Sequence, residues 1–310
     1  MKHTGFQHQA LIYDGAEEYL AGAIPYLEAG LESEQQMLVA VGPEQAALLR
    51  EQLGADAELI RFVDMREVGR NPASVIPLWA EFIGENEGVP VRGIGEAIWA
   101  ARSAAALDEC RRLESLLNTA FDRGSAWDLL CPYDAGSLGE EVLDQVCHSH
   151  PFVNRGGCSE KGSSLLSAED CFGGELVPPT TAPETLAFDV TGLGEVRRRV
   201  TAEAERAGMD ATEVADLVTA VSELAANSVM HGGGSGVLRL WQEEQRLLAE
   251  VEDRGVIEEP LVGRIRPDVH QEGGRGLWLA NQLCDLVQIR SGETGTTVRL
   301  HLLAREAAFV

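Results

Sequence analysis

Short apolar runs alternate with helical patterns through the first 150 residues of the chain. The apolar runs predict strands at 10–14, 37–41, 58–63, 89–94 and 127–133. Apolar residues at helical spacing predict helices at 72–86, 103–121 and 137–148. This alternation predicts an α/β domain over 4–155, with a mostly parallel sheet between two layers of helices.

The pattern changes twice in the remaining half of the chain. Residues 156–184 are rich in Gly, Ser and Pro, which predicts a linker. Beyond it, helical patterns occupy 193–207 and 211–231, and 275–284 predicts a further helix.

Strand patterns accompany these helices in the last third of the chain. Residues 235–255 read as two strands that turn near Glu243–Gln245, and 285–291 and 296–303 read as closing strands. Helices combined with antiparallel strands predict a two-layer α+β domain over 185–303.

The net charge of the chain indicates which classes of partner it can bind. The chain has 25 Lys and Arg against 50 Asp and Glu, a formal charge of −25 that repels nucleic acid over most of the surface. We therefore expect protein or small-molecule partners, although general solubility also explains an acidic surface. The sequence shows neither a signal peptide nor a membrane-spanning run, so a cytoplasmic protein without membrane contact is expected.

The six cysteines contain no CxxC pair, and we expect reduced thiols. The densest patch holds Cys147, His148, His150 and Cys158, with Cys171 further on. Its irregular spacing is a weak indication of a zinc or redox site.

A polar stripe runs along the predicted helix 211–231. Glu223, Asn227 and His231 are four residues apart each time, and this spacing places all three on one face. The helix then ends at glycines.

Two further polar groups in the same region suit a nucleotide. Asp253 ends a strand and can accept a hydrogen bond from an exocyclic amine, while Gly255 allows a flat ring to approach. The run Gly273–Leu277 opens a helix, where free backbone N–H groups and Arg275 favour phosphate. The Asn227 amide oxygen suits Mg²⁺.

In this order, the motifs ELAANSVMH, DRG, GGRGLWLANQLCDLV and GTTVRL resemble the GHKL (Bergerat-fold) ATPase domain, and most closely its RsbW-like anti-sigma-factor serine/threonine kinases. The resemblance implies ATP and Mg²⁺ as cofactors, with Glu223 as the catalytic base and Asn227 as the metal ligand. It assigns the remaining nucleotide contacts to His231, Asp253, Gly255, Gly274, Arg275, Gly276, Leu277 and Thr296. Thr297 is the alternative to Thr296, which shares strand parity with Val298 and Leu300.

The resemblance also implies partners. Kinases of this group bind a sigma factor and phosphorylate an anti-anti-sigma protein of the STAS type, and members are commonly dimeric, so a homodimer is possible. A conventional histidine kinase is disfavoured, because His148 and His150 are followed by Pro151, which disfavours a dimerisation helix there.

Residues 4–153 resemble the MEDS sensory domain, through FQHQALIYDGAEEYLAGAIPYLEAGLESEQQMLVAV near the start and WDLLCPYDAGSLGEEVLDQVCHSHP at the end. The resemblance implies a RecA-like fold and a sensory role for an unknown small-molecule or redox signal. No phosphate-loop motif follows the first predicted strand. Tyr13, Asp14 and Tyr19 lie where open α/β sheets bind ligands, or they are ordinary turn residues.

These observations predict a cytoplasmic anti-sigma regulator in which a sensory domain controls an ATP-dependent serine/threonine kinase. Two alternatives stay open. One is a module that sequesters a sigma factor in an ATP-dependent way without catalysis. The other is a redox or metal sensor joined to a degenerate ATP domain.

Overall fold

The computed structural model describes residues 5–122, 124, 126–155, 158–161, 172–243, 245–267 and 274–304, with the backbone alone at 158–161. The chain divides into two compact units, Met1–Ala168 and Glu169–Val310. In the described residues, no helix combines the length and hydrophobicity needed to cross a bilayer.

The N-terminal unit is built on a seven-stranded sheet. Its strands are β1 Phe6–Tyr13, β2 Gln36–Val41, β3 Arg61–Asp64, β4 Val91–Gly95, β5 Trp127–Asp134, β6 Phe152–Arg155 and β7 Cys158–Lys161. They lie in the order β3-β2-β4-β5-β1-β6-β7, and every pair is parallel except β6 with β7.

Six helices accompany this sheet. They are α1 Gly15–Glu32, α2 Pro43–Leu53, α3 Met65–Val68, α4 Val75–Glu85, α5 Ala104–Phe121 and α6 Glu140–Ser149. Alternate residues of β1 point to opposite faces. Leu11 and Tyr13 join a core cluster with α1 and α2, and His8 lies on the other face against α5. The predicted α/β class, with its mostly parallel sheet, is confirmed.

Some elements of this unit differ from the sequence prediction. β3 begins at Arg61 rather than at 58, because 54–59 forms a 3₁₀ turn. The strands β6 and β7 were not predicted, and β7 falls inside the region read as linker. Both are short polar segments that carry no periodic hydrophobic signal, so their pairing with β1 and with each other decides their conformation.

The C-terminal unit packs three helices on an antiparallel sheet. The helices are α7 Leu193–Arg206, α8 Ala211–His231 and α9 Arg275–Leu283. The strands are β8 Glu184–Asp189, β9 Ser235–Glu243, β10 Arg246–Asp253, β11 Leu286–Gly292 and β12 Gly295–Leu303. Their order is β11-β12-β10-β9-β8. The α+β class is confirmed, and α8 has the predicted bounds, but β8 was missed.

The opposite face of this sheet is also covered. On β10, Leu247 and Ala249 are fully buried, and Glu250, which points to the other face, is only 5% exposed. It accepts from Arg299 at 2.6 Å, and Arg299 in turn donates to the carbonyl of Val177 at 2.7 Å. Part of the region read as linker therefore lies on the sheet.

Candidate functional site

Helix α8 is fixed at its start by a capping box and at its end by a close approach to β10. The side chain of Asp210 accepts from the backbone of Thr212 and Glu213, while the Glu213 side chain accepts from the Asp210 backbone. A Cβ at Gly232 would lie 2.3 Å from Cγ of Asp253. A glycine is therefore required where the helix ends beside the strand.

Asp253 is the best-anchored polar group of this region. One carboxylate oxygen accepts from the Ser228 hydroxyl at 2.6 Å, and the other accepts from the backbone N–H of Gly255 at 2.7 Å. A carboxylate can accept about four hydrogen bonds, so both oxygens retain capacity for a ligand donor. Its position is thus set before any ligand binds.

Thr296 holds the chain that follows Asp253. It lies opposite Asp253 in the β10–β12 register, and its hydroxyl donates to the carbonyl of Gly255 at 2.8 Å. The Ser291 hydroxyl lies 2.7 Å from that of Thr296 and accepts from the backbone of Ile257 at 2.8 Å. Thr297 lies on the opposite face of the sheet, since successive strand residues alternate.

The start of α9 meets the polar stripe of α8. Gly274 caps the helix with φ 78°, a left-handed conformation that glycine adopts without strain. A Cβ at Gly276 would lie 2.8 Å from Nδ2 of Asn227 and 3.2 Å from Oε2 of Glu223. The absence of a side chain at Gly276 is what allows the two helices to approach here.

These elements surround a cavity of about 300 Å³. It is lined by Leu224, Asn227, Ser228, His231, Gly232, Val251, Asp253, Gly255, Val256, Ile257, Glu258, Glu259, Val262, Gly274, Leu277, Thr296 and Val298. Leu224, Val251 and Val298 are among its aliphatic walls, and Asp253 is a carboxylate held in place beside them. Such a combination of an apolar slot and a few fixed polar groups is typical of small-molecule sites.

The cavity gathers most, but not all, of the residues predicted from sequence. Asn227, His231, Asp253, Gly255, Gly274, Leu277 and Thr296 line it, whereas Glu223, Arg275 and Gly276 do not. Glu223 adjoins Asn227 beside Gly276, and Arg275 is exposed at the first position of α9. Gly273 lies outside the described residues.

Sequence reasoning missed several residues that shape the site. Ser228 and Gly232 touch Asp253, and Ser291 supports Thr296. Buried Asn281 donates to the carbonyl of Gly263 at 2.8 Å and so holds the segment that follows Gly255 against α9. Ser228 lies next to Asn227 in the chain, but only the fold reveals that it reaches Asp253.

In the N-terminal unit, the candidate ligand residues belong to the core. Tyr13 and Tyr19 are 4% and 1% exposed, and their rings lie 5.0 Å apart. Asp14 is exposed, and it precedes α1 without a side-chain cap. Of the two readings of these residues, the ordinary structural one fits both tyrosines.

The predicted cysteine and histidine patch is not brought together. Cys147 is a half-buried thiol that donates to the carbonyl of Leu143 at 3.5 Å, and half-buried His148 contacts the carbonyl of Asp144 at 2.9 Å. His150 is fully buried and lies near Glu114 instead. Cys158 and Cys171 lie outside the residues whose side chains are described. The described members of the patch therefore add nothing to the weak indication of a zinc or redox site.

Comparison with known proteins gives the class of the C-terminal unit. Residues 186–302 match the family model of the histidine kinase-like ATPase domain. Its cavity and its layer of helices on an antiparallel sheet thus belong to an ATPase-type domain.

The N-terminal unit has its own match. Residues 7–151 match MEDS, the methanogen/methylotroph, DcmR sensory domain. The chain therefore combines a MEDS domain with a histidine kinase-like ATPase domain.

Among solved structures, part of the chain is similar to the RsbU and RsbW domains of Rv1364c from Mycobacterium tuberculosis. The identity is 27%, the TM-score is 0.32, and the match covers 42% of this chain. It covers 35% of that chain, so the present chain corresponds to about a third of that protein's length.

Replacing Gly276 by alanine tests the packing of the two helices at the cavity. The new Cβ would lie 2.8 Å from Asn227 Nδ2, so Asn227 must move. We expect Mg²⁺-ATP affinity to fall by about 1–2 kcal/mol, or roughly 5- to 30-fold, in a calorimetric titration. Gly194→Ala is the matched control, because a Cβ there meets nothing within 4 Å. Equal Mg²⁺-ATP affinities for the two variants would contradict the assignment of the nucleotide site to this cavity.

Proposed function

We propose that the C-terminal unit binds Mg²⁺-ATP in the cavity of α8, α9 and β10. Asp253 accepts the adenine amino group, Gly255 permits the ring to lie close to the backbone, and Leu224, Val251 and Val298 supply apolar walls. The N-terminus of α9 and Arg275 attract the phosphates. Asn227 offers an amide oxygen to Mg²⁺, which neutralises phosphate charge when bound.

The Asp253 carboxylate is the observation that carries this proposal. It is held from two sides, by Ser228 at 2.6 Å and by Gly255 N–H at 2.7 Å, at the wall of a cavity that also has aliphatic side chains in its lining. A charged acceptor fixed in an apolar slot suits a flat ligand with an exocyclic amine. The glycines at 255 and 276, where a Cβ would meet neighbouring protein atoms at 2.9 Å and 2.8 Å, allow the close backbone packing that shapes this region.

We further propose that the bound ATP serves protein phosphorylation. Glu223 lies beside Asn227 and the start of α9, outside the cavity lining, at the end where the phosphates would emerge. There it can orient or deprotonate a serine or threonine hydroxyl of a partner protein. Such transfer depends mainly on alignment and charge neutralisation.

The proposed partners are a sigma factor and a STAS-type anti-anti-sigma protein, with the MEDS domain controlling the exchange between them. This proposal is supported by the resemblance of the motifs around Asn227, Asp253 and Gly276 to RsbW-like kinases, and by the match of one chain to an ATPase domain and a sensory domain. The net charge of −25 favours protein partners over nucleic acid.

The test is to incubate the full-length protein with Mg²⁺, γ-labelled ATP and a candidate STAS partner. Transfer of label to a serine or threonine of the partner is the expected outcome. The control is the same reaction without Mg²⁺, in which no labelling is expected. If ATP binds and a sigma factor is retained but no partner is labelled, sequestration without catalysis is the correct function instead.

A further inference from the structure

A second cluster of chemically reactive side chains lies inside the N-terminal unit. It consists of His8 on β1, Glu114 on α5, Cys131 on β5, and His150 just after α6. Each is between 0 and 2% exposed. Of the side chains that the structure describes, this is the group of metal-ligating type whose donor atoms all converge within 4.8 Å.

The topology brings these residues together. β5 and β6 both pair with β1. Cys131 lies opposite Ala10, two residues along from His8 and on the same face of the sheet, and His150 comes two residues before β6. Glu114 reaches them from the helix that covers that face. Four elements thus contribute one donor atom each.

The distances between the donor atoms suit a tetrahedral ion. Nε2 of His8 lies 3.3 Å from Sγ of Cys131 and 3.2 Å from Oε2 of Glu114, and Nε2 of His150 lies 3.6 Å from the same oxygen. Zinc bonds of about 2.0–2.3 Å to N, O and S place neighbouring ligand atoms roughly 3.3–3.7 Å apart. The three distances are close to this range, and all four donor atoms lie within 4.8 Å of one another.

Both imidazoles are oriented by acceptors on their far side. Nδ1 of His8 donates to Oδ1 of Asn118 at 3.2 Å, and Nδ1 of His150 donates to the carbonyl of Val146 at 3.0 Å. Asn118 is fixed in turn, since its amide donates to the carbonyl of Ser149 at 2.8 Å. Protons on Nδ1 leave the Nε2 lone pairs directed into the cluster, as in metal sites.

Both oxygens of Glu114 are buried, and the polar groups that surround them are Cys131, Tyr133 and the two histidines. Burial is costly for a carboxylate whose charge is not compensated. A cation bound at Oε2 would supply that compensation. The Tyr133 hydroxyl also lies 3.3 Å from Nε2 of His150, so it adjoins the cluster without being one of the four donor groups.

We propose that this cluster is a zinc site with four protein ligands: Nε2 of His8, Nε2 of His150, Oε2 of Glu114 and Sγ of Cys131. Imidazole and thiolate ligands select zinc over Mg²⁺ or Ca²⁺, which prefer oxygen. A buried ion whose ligands all come from the protein holds together β1, β5, α5 and the segment between α6 and β6. Its role is therefore structural or signalling rather than catalytic.

The first test measures the metal content of full-length protein purified without chelator. We expect about one zinc per chain in the wild type and less than a tenth of that in Cys131→Ala and Glu114→Gln. Cys147→Ala is the matched control, because Cys147 is a thiol in the same unit but outside the cluster, and this variant should retain the zinc. Equal metal content in the wild type and Cys131→Ala overturns the proposal.

The second test does not depend on removing a ligand. Asn118→Ala keeps all four ligands but removes the acceptor that orients His8. Loss of such an outer contact weakens metal binding by about 10- to 100-fold, which competition with a chromophoric chelator measures. In addition, Co²⁺ added to metal-depleted, folded wild type should give the absorption of a tetrahedral thiolate site. If that protein binds neither zinc nor cobalt, the proposal is overturned.

Discussion

The Asp253→Ala protein is expected to lose most of its affinity for Mg²⁺-ATP while remaining folded. The substitution removes the charged acceptor for the adenine amine and leaves the Ser228 hydroxyl and Gly255 N–H without their partner. A hydrogen bond to a charged group contributes about 1.5–3 kcal/mol, so binding should weaken by roughly 10- to 150-fold or more. Calorimetric titration of Mg²⁺-ATP into the full-length protein gives the value.

The matched control for this experiment is Glu252→Ala. Glu252 precedes Asp253 on β10 but points to the other face, where it pairs with Arg239 at 2.6 Å. Exposed pairs of this kind contribute about 0–1 kcal/mol, so this variant should bind nucleotide like the wild type. If Asp253→Ala binds ATP with wild-type affinity and a normal thermal transition, the adenine lies elsewhere and the cavity is assigned wrongly.

The Glu223→Gln protein is expected to separate binding from catalysis. Glu223 does not line the cavity, so the dissociation constant for Mg²⁺-ATP should stay within about threefold of the wild type. Loss of a general base lowers the rate of transfer by about 10²–10⁴-fold. Single-turnover phosphorylation of the STAS partner, with nucleotide saturating, measures that rate.

Asp216→Asn supplies the control for the loss of charge. Asp216 lies on the same helix seven residues earlier, about 10.5 Å along its axis from Glu223. The Asp216→Asn protein should transfer phosphate to the STAS partner at the wild-type rate. An unchanged rate of phosphate transfer in Glu223→Gln would show that another group activates the hydroxyl. That result would leave the proposal of nucleotide binding at Asp253 intact.

The polar groups of the two units have different surroundings. In the ATPase-type unit, Asp253 and Thr296 hold the wall of an open cavity. In the MEDS unit, His8, Glu114 and Cys131 converge in a closed interior without solvent access. A cavity suits exchange of a ligand, whereas a closed cluster suits an ion that is retained.

The strongest sequence predictions concerned features that depend on local periodicity. The bounds of α8, the turn between β9 and β10, and the stripe of Glu223 and Asn227 all follow from spacings of a few residues. The strand pattern also placed Thr296, rather than Thr297, on the side of Asp253. Met230 shows the limit of such reasoning, because it is an apolar residue of α8 and yet is 66% exposed.

The sequence by itself therefore determined the α/β and α+β classes, most of the helices and strands, and the residues gathered at the nucleotide cavity. Helical and strand periodicity depends on residues only a few positions apart, so it can be read directly from the sequence. Tertiary structure alone decided that 172–183 covers Glu250 and Arg299, that Ser228 holds Asp253, and that Cys131 rather than Cys147 lies beside His150. His8 and Cys131 are 123 residues apart in the chain, and only the pairing of β1 with β5 makes them neighbours. Contacts of that kind depend on which strands pair, and no local spacing encodes them.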